Sequence, residues 1–230
     1  MNIIEIRNLS KYFGHSLALN EINLTIEKGE FLTIFGPNGA GKTTLIRLLA
    51  NLLRPTEGKI EIGDNESRST TLIGVISHTT FLYDNLTAKE NLFFYGKMYD
   101  LTELKKRVDQ LLTQLGLKKR ENDLVRNFSR GMQQRLSIAR ALIHNPPILL
   151  FDEPYTGLDQ HAAQILKNLL AELHTEERTI ILTTHNLTQG LESSERVIVL
   201  VGGRIVYQEE TKNIVSQEFE KAYFDLVEGR

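Results

Sequence analysis

The positions of hydrophobic and polar residues divide the chain into segments of different period. Apolar and polar residues alternate over residues 4–7 and 17–26, as they do in half-buried antiparallel strands. Two further runs, residues 30–35 and 148–153, carry mainly apolar residues. Such runs are typical of parallel strands that have both faces covered. The first pattern therefore predicts a small antiparallel sheet, and the second predicts the centre of a parallel sheet.

From residue 87 the period changes from two to 3.6. Thr87 and Glu90 match a capping box, which marks the start of a helix. The periodicity predicts helices over residues 87–99, 102–115 and 129–144, and Gly116 is placed to end the second. Two prolines at 146 and 147 stop the third helix, because proline lacks the N–H that helix continuation needs. This block predicts a helical insertion.

Strands and helices alternate again on both sides of that block. Other predicted elements are strands at 59–62, 72–77 and 179–184, a helix at 160–174, a hairpin of 196–201 and 204–208, and a helix at 212–227. The fold class predicted is α/β, with a mostly parallel sheet, an N-terminal antiparallel β subdomain and an inserted α-helical subdomain. Residues 1–86 and 145–230 would form the core, and residues 87–144 the helical subdomain.

Composition narrows the classes of protein. The 230 residues suit one large domain with an insertion, and their net charge of −2 gives no electrostatic footprint for nucleic acid. The chain has no cysteine, which excludes disulfides and thiol catalysis. Neither a signal segment nor an apolar run long enough to span a bilayer is visible in the sequence. We therefore expect a cytosolic chain that does not itself form a membrane path.

One stretch predicts phosphate chemistry. Residues 36–43 read GPNGAGKT and fit the P-loop pattern G-x-x-x-x-G-K-[ST], with a strand before them and a helix after them. In that context the glycines let backbone N–H groups turn towards phosphate oxygens at the helix N-terminus. Lys42 would contact the β- and γ-phosphates, and the Thr43 hydroxyl would bind Mg²⁺. The alternative is a glycine-rich turn that meets the pattern by chance.

An acidic pair supplies the second part of such a site. Asp152 and Glu153 follow a hydrophobic run about 110 residues after the P-loop. We expect this run to be a strand that neighbours the P-loop strand, because a Walker-B carboxylate lies at such a strand end. Asp152 would then hold Mg²⁺, and Glu153 would polarise the attacking water as a general base. The alternative is an acidic turn without a catalytic role.

The sequence alone leaves the roles of two other residues open. Phe13 lies between the two N-terminal strands and could either stack on a base or cap the small sheet. His78 follows the strand at 72–77, and a histidine in such a place is usually structural or solvated.

Further motifs indicate a family. Residues 128–135 (FSRGMQQR) resemble the LSGGQ signature of ABC ATPases, and residues 137–142 (SIARAL) continue that pattern. Residues 157–159 (GLD) resemble the D-loop, His185 the switch histidine, and Phe13 the A-loop aromatic residue. These motifs occur in the family's order and cover essentially the whole chain, so the sequence is identified as an ABC nucleotide-binding domain.

The resemblance implies ATP as substrate, Mg²⁺ as cofactor, and a second copy of the chain as partner. In this family the signature faces the ATP of the partner subunit, so that two ATP molecules lie in a head-to-tail dimer. His185 would contact the γ-phosphate, and Asp159 would cross the interface. The implied nucleotide contacts are Phe13, Gly36, Pro37, Asn38, Gly39, Ala40, Gly41, Lys42, Thr43, Thr44, Ser129, Gly131, Gln133 and Asp159.

The chain departs from the family pattern in two places. The signature differs from the consensus at Phe128, Arg130 and Met132. Ser129, Gly131 and Gln133 keep the groups that touch phosphate or cap the helix, so activity is expected to survive. At the Q-loop, His78 takes the place of the usual glutamine, and we count it with Glu153 and His185 among the predicted catalytic residues. Its coordination of the ion is open, since an imidazole differs from an amide in reach and charge.

The segment around His78 also resembles one branch of the family. It is similar to the ATP-binding subunit of the heme exporter of cytochrome c biogenesis, and more broadly to exporter subunits that work with separate permeases. This resemblance implies a chain bound to the inner face of the cell membrane through a permease. The expected docking segment is residues 79–92, with anchors among Phe81, Leu82, Tyr83, Phe93, Phe94 and Tyr95. The alternative is a soluble single-cassette ABC ATPase that acts as an assembly factor.

Overall fold

The structure is a computed structural model that describes residues 1–63, 71–77, 79–158, 160–175 and 177–229. In this part of the chain the strands are β1 (Asn2–Phe13), β2 (Ser16–Glu27), β3 (Phe31–Phe35), β4 (Glu57–Ile62), β5 (Ile73–Ile76), β6 (Ile148–Asp152), β7 (Thr179–Thr184), β8 (Arg196–Val201) and β9 (Arg204–Glu210). The helices are α1 (Lys42–Leu49), α2 (Ala88–Met98), α3 (Leu104–Gln114), α4 (Arg130–Leu142), α5 (Gln160–Thr175), α6 (Leu187–Ser193) and α7 (Ser216–Glu228).

Two sheets form the framework. The first is antiparallel with the order β2-β1-β4, and the second has the order β5-β6-β7-β3-β8-β9. In the second sheet the strands from β5 to β8 pair in parallel, and β9 joins β8 as an antiparallel hairpin. This arrangement confirms the predicted α/β class with its N-terminal antiparallel sheet.

The strand order corrects one expectation about the site. The prediction that Asp152 ends a strand neighbouring the P-loop strand is wrong, because β7 lies between β6 and β3. The crossover connections set the order of parallel strands, and these connections leave no trace in the local pattern. The carboxyl ends of β3, β6 and β7 still meet at one edge of the sheet, so that Thr183 of β7 comes between the two predicted motifs.

The parallel sheet is covered on both faces. Phe151 and Leu182 point into a cluster that includes Leu136 of α4, whereas Leu150 packs with Leu45 of α1 on the other face. Helices α2, α3 and α4 share the first cluster with the sheet. That residues 87–144 form a separate subdomain remains a prediction. Among the described residues, no helix has both the length and the apolar character that a bilayer crossing requires.

Several predicted boundaries differ from the structure. Strand β1 extends to Phe13, so this residue ends a strand instead of lying in a loop between two strands. Helix α6 was not predicted from the sequence pattern, because it has only seven residues and contains a glycine. Helix α7 begins at Ser216, after a short 3₁₀ turn at Thr211–Asn213 that the prediction had merged with it.

Helix α6 lies unusually close to the P-loop strand, and this closeness gives a test of stability. A Cβ atom on Gly190 would lie 2.4 Å from two atoms of the Phe35 ring and 2.9 Å from Cγ2 of Thr33. We expect Gly190→Ala to lower the free energy of unfolding by about 1–2 kcal/mol, since overpacking outweighs a gain of about 1 kcal/mol in helix propensity. Denaturant unfolding measures the change.

The matched control for this prediction is Thr188→Ala, an exposed position on the same helix. It should change the unfolding free energy by no more than about 0.5 kcal/mol. An unfolding midpoint of Gly190→Ala equal to that of the native chain would contradict the close packing of α6 on β3.

Candidate functional site

The P-loop occupies the turn between β3 and α1, and its glycines allow close backbone approach. A Cβ on Gly36 would lie 2.3 Å from the carbonyl oxygen of Leu200, and one on Gly41 would lie 2.6 Å from that of Ala18. Gly41 also has a φ of 107° and precedes α1, whose N-terminus receives no hydrogen bond from a capping side chain. The first N–H groups of α1 are therefore free to bind an anion.

Lys42 crosses back over this loop. Its side chain is only 6% exposed, and Nζ donates hydrogen bonds to the carbonyl oxygens of Gly36 at 2.7 Å and Pro37 at 3.2 Å. The same Nζ lies 3.2 Å from Oε1 of Glu153. The ammonium group thus connects the P-loop to the carboxylate at the end of β6.

Thr43 and Asp152 provide neighbouring oxygen atoms. The Thr43 hydroxyl donates a hydrogen bond of 3.1 Å to Oδ1 of Asp152, and the Thr183 hydroxyl donates one of 2.8 Å to the same oxygen. Asp152 is buried, and Thr183 holds its carboxylate from the side of β7. Hydroxyl and carboxylate oxygens are the ligands that Mg²⁺ prefers, so this donor set fits the ion chemically.

Glu153 has an unusual backbone and two charged or titratable neighbours. Its φ is 51°, in the left-handed region, and its N–H donates to the carbonyl oxygen and the hydroxyl of Thr183, both at 3.1 Å. These bonds hold the turn after β6 in place. Oε2 lies 2.9 Å from Nδ1 of His185, and Oε1 faces Lys42. The carboxylate therefore lies between an ammonium and an imidazole at the edge of the P-loop.

The signature residues begin helix α4. Ser129 is its N-cap residue, and its hydroxyl accepts a hydrogen bond of 3.3 Å from the N–H of Met132. The Gln133 side chain donates to the carbonyl oxygen of Val125 at 3.4 Å, and Gly131 lines a cavity of about 410 Å³. Within the described part of the chain, no hydrogen bond from Ser129, Gly131 or Gln133 reaches the P-loop, Asp152 or Glu153.

Two of the signature residues that differ from the consensus, Phe128 and Arg130, have defined neighbours in the structure. Phe128 is buried in the cluster beneath the sheet, where an apolar side chain is required. A Cβ on Gly157 would lie 2.7 Å from Nη1 of Arg130, so the Arg130 guanidinium covers the loop after Glu153.

The remaining predicted residues fall into two groups. Phe13 is 49% exposed, and Nζ of Lys11 lies over its ring, 5.3 Å from the centroid. His78 and Asp159 lie outside the described residues. Thr183 was missed by the sequence reasoning, although a threonine near the end of a buried strand was the signal that could have identified it.

Comparison with known proteins identifies the class. Residues 19–156 match the family model described as ABC transporter. The chain is 39% identical over 209 residues to the ABC transporter ATP-binding protein NatA of Bacillus subtilis (strain 168), covering 87% of this chain and 85% of NatA. It is 34% identical over 222 residues to the Nod factor export ATP-binding protein I of Rhizobium johnstonii, covering 94% and 71% of the two chains.

Comparison with a solved structure indicates the same class of protein. The dimeric post-hydrolysis structure of the ATP-binding cassette MJ0796 with ADP and Pi matches with a TM-score of 0.81 and 31% identity, covering 90% of this chain and 98% of that one. The fold and the P-loop site thus define an ATP-binding cassette. The chain belongs to the ABC transporter family as an ATP-binding subunit, and it is an ATPase.

Proposed function

We propose that this chain drives a separate membrane permease, as the ATP-hydrolysing subunit of an exporter. The observation that carries this proposal is the joining of Lys42, Glu153 and His185 at the carboxyl edge of the sheet, beside the oxygens of Thr43 and Asp152. One relative is an export protein by name and another is an Fe(3+) import protein by name, so the direction of transport is proposed from the exporter resemblance of the segment around His78. The resemblance to heme exporters remains a prediction about the cargo.

In this proposal the residues of the site divide the work of hydrolysis. The P-loop N–H groups and Lys42 bind the phosphates, and the exposed ring of Phe13 stacks on the base. Thr43 and Asp152 would hold Mg²⁺, which neutralises phosphate charge when it is bound. Glu153 accepts a proton from the attacking water, and His185 leaves Glu153 to contact the γ-phosphate. His78 is proposed to act beside them.

We also propose a head-to-tail dimer of two copies, in which each signature completes the partner's site. The N-terminus of α4 and the Ser129 hydroxyl are suited to an anion, because the first helical N–H groups lack intrahelical partners. The open side of Gly131 would admit the γ-phosphate, and Asp159 would couple the two sites. The dimeric state of the related MJ0796 cassette supports this arrangement.

The proposed permease contact is a groove beside α2, here called the docking groove. It has a volume of about 290 Å³ and is lined by Leu52, Phe81, Tyr95, Met98, Tyr99 and Arg140, among others. Phe81, Tyr83 and Phe94 are 45%, 48% and 41% exposed, and Tyr83 and Phe94 meet edge to face at 4.9 Å. Leu82 and Phe93 instead pack against the core. The exposed aromatic residues fit the apolar side of a permease helix.

Alanine substitutions test this contact. We expect Tyr83→Ala and Phe94→Ala each to weaken the complex with the permease about tenfold, because large anchors contribute more than 1 kcal/mol at such interfaces. Titration of the tagged chain against permease in detergent measures the affinity. Phe224→Ala is the matched control, since this residue is an equally exposed aromatic (52%) on α7. Equal affinity for all three variants and the native chain would exclude Tyr83 and Phe94 as permease contacts.

The function as a whole is tested by a pull-down from detergent-solubilised membranes of the native host. We expect the tagged chain to recover an integral membrane protein that raises its ATPase activity. Bound heme in that complex would support the heme cargo, and its absence would remove that part of the proposal. Recovery of soluble proteins alone would move the chain to the class of assembly factors.

A further inference from the structure

Arg140 occupies a special position in the docking groove. It lies near the C-terminal end of α4, and its Nη2 donates a hydrogen bond of 2.6 Å to the carbonyl oxygen of Val75 in β5. Cζ of its guanidinium lies over two rings, 5.4 Å from the centroid of Phe81 and 5.6 Å from that of Tyr95. Arg140 therefore touches both walls of the groove and the strand at its base.

The two rings are also linked to each other. The Tyr95 hydroxyl donates a hydrogen bond to the carbonyl oxygen of Phe81, whose backbone has a left-handed φ of 53°. Such a conformation of a bulky residue is sparsely populated and persists only where surrounding contacts hold it. Phe81 is thus held by Arg140 and Tyr95 although the residue is 45% exposed.

No carboxylate of the described residues forms an ion pair with Arg140, and its Nε–H is buried without a hydrogen-bond acceptor. The neighbouring His144 stacks on Tyr99 with centroids 4.0 Å apart, and burial lowers the pKa of His144 to about 4. His144 is therefore neutral at pH 7. The position of the Arg140 guanidinium depends on the Val75 carbonyl and the two rings, with no acidic partner to hold it elsewhere.

Helix α4 carries the other end of this connection. Ser129 caps its N-terminus, and eleven residues at a rise of about 1.5 Å place Arg140 roughly 16 Å from it along the helix. Leu136, Ile138 and Leu142 are buried in the core along one face of the helix, which is continuous from Arg130 to Leu142. Arg140 and the residues of the signature thus belong to one continuous helix.

We propose that Arg140 is a positioning residue that transmits occupancy of the docking groove to the signature at the start of α4. A permease helix that presses on Phe81 would shift the guanidinium and, with it, the end of α4 that faces ATP. This inference rests on the proposed function, since it needs a permease in the groove. It assigns the transmission to one side chain and not to the groove surface in general.

A purely structural role is the competing explanation, and the chain offers a matched residue to separate the two. Arg107 on α3 is also half-buried and also donates to backbone carbonyls, those of Leu142 at 2.7 Å and Ile143 at 3.3 Å. These hydrogen bonds hold the same C-terminal end of α4, and Arg107 has no ring contact with the described residues. A loss of packing would affect Arg107→Lys and Arg140→Lys alike.

The test measures ATPase activity of the chain with and without the membrane partner recovered by the pull-down. Arg140→Lys keeps the charge and a donor for Val75 but loses the planar face. We expect it to lower the ratio of stimulated to unstimulated activity at least fivefold while the partner is still recovered. Phe81→Leu should do the same, and because Phe81 is 45% exposed the substitution removes little buried surface. Arg107→Lys should keep the ratio within twofold.

Other results would overturn the proposal. Unchanged ratios in Arg140→Lys and Phe81→Leu, with stimulation of the native chain intact, would reject the link and leave the proposed function standing. Loss of partner recovery in Arg140→Lys would make this residue a docking contact instead of a link. An equal loss of stimulation in Arg107→Lys would favour the structural role. Lack of stimulation in the native chain would reject the proposed function and the link together.

Discussion

Glu153→Gln is expected to abolish turnover of ATP while ATP is still bound. The amide keeps the size of the side chain, and the backbone bonds of residue 153 to Thr183 are unaffected. It cannot accept a proton from water, and removal of a general base costs typically 10²- to 10⁴-fold in rate. Phosphate release should therefore fall at least a hundredfold. Because the γ-phosphate then persists between two subunits, the variant should accumulate as a dimer.

Size-exclusion chromatography with and without ATP measures that accumulation. Glu192→Gln is the control, since Glu192 is a surface carboxylate that pairs with Lys167 at 2.5 Å. It should retain native turnover. A Glu153→Gln protein that stays monomeric with saturating ATP would contradict the nucleotide sandwich. Turnover above a tenth of the native rate would reject Glu153 as the base.

Lys42→Ala is expected to have an effect of similar size, through binding of the nucleotide. Its Nζ is held over the P-loop by two carbonyl oxygens and faces Glu153, so it is already placed where phosphate charge would enter. A charge-assisted hydrogen bond to phosphate is among the strong interactions, and its removal also leaves Glu153 without its cation. We expect ATP hydrolysis to fall at least a hundredfold.

Equilibrium binding of a fluorescent ATP analogue, together with phosphate release, separates the loss of affinity from the loss of turnover. Lys59→Ala serves as control, because Lys59 is an exposed lysine that pairs with Glu61 on β4 at 2.8 Å. It should match the native chain in both measurements. Native affinity and native turnover in Lys42→Ala would show that residues 36–43 do not form a phosphate site.

Much of the fold could be predicted from the sequence, because each element has a local signal. The capping box of Thr87 and Glu90 is present as predicted, with both reciprocal hydrogen bonds. The wrong prediction concerned strand order, since the insertion of β7 between β3 and β6 depends on contacts between residues far apart in the chain. Helix α6 was missed because it is too short to give a periodic signal in the sequence. Its close packing on Phe35 at Gly190 stabilises it instead.

The candidate site was predictable in its residue types and only partly in its geometry. The motifs predicted that Thr43 and Asp152 lie together at one Mg²⁺ site, and their side chains are hydrogen bonded in the structure. The left-handed backbone of Glu153 and its pairing with His185 could not be predicted, because both depend on β7 and the loop after it. The roles of these residues remain predictions until the variants are measured. The ATPase class itself is confirmed by the family match.

Glu153 lies between Lys42 and His185, two groups that a phosphate would also attract. In the proposed mechanism, the γ-phosphate and the Glu153 carboxylate therefore compete for the same partners. Binding of ATP would then draw Lys42 away from Glu153 and free that carboxylate to act on water. Under this proposal, nucleotide binding and release of the general base would be one event.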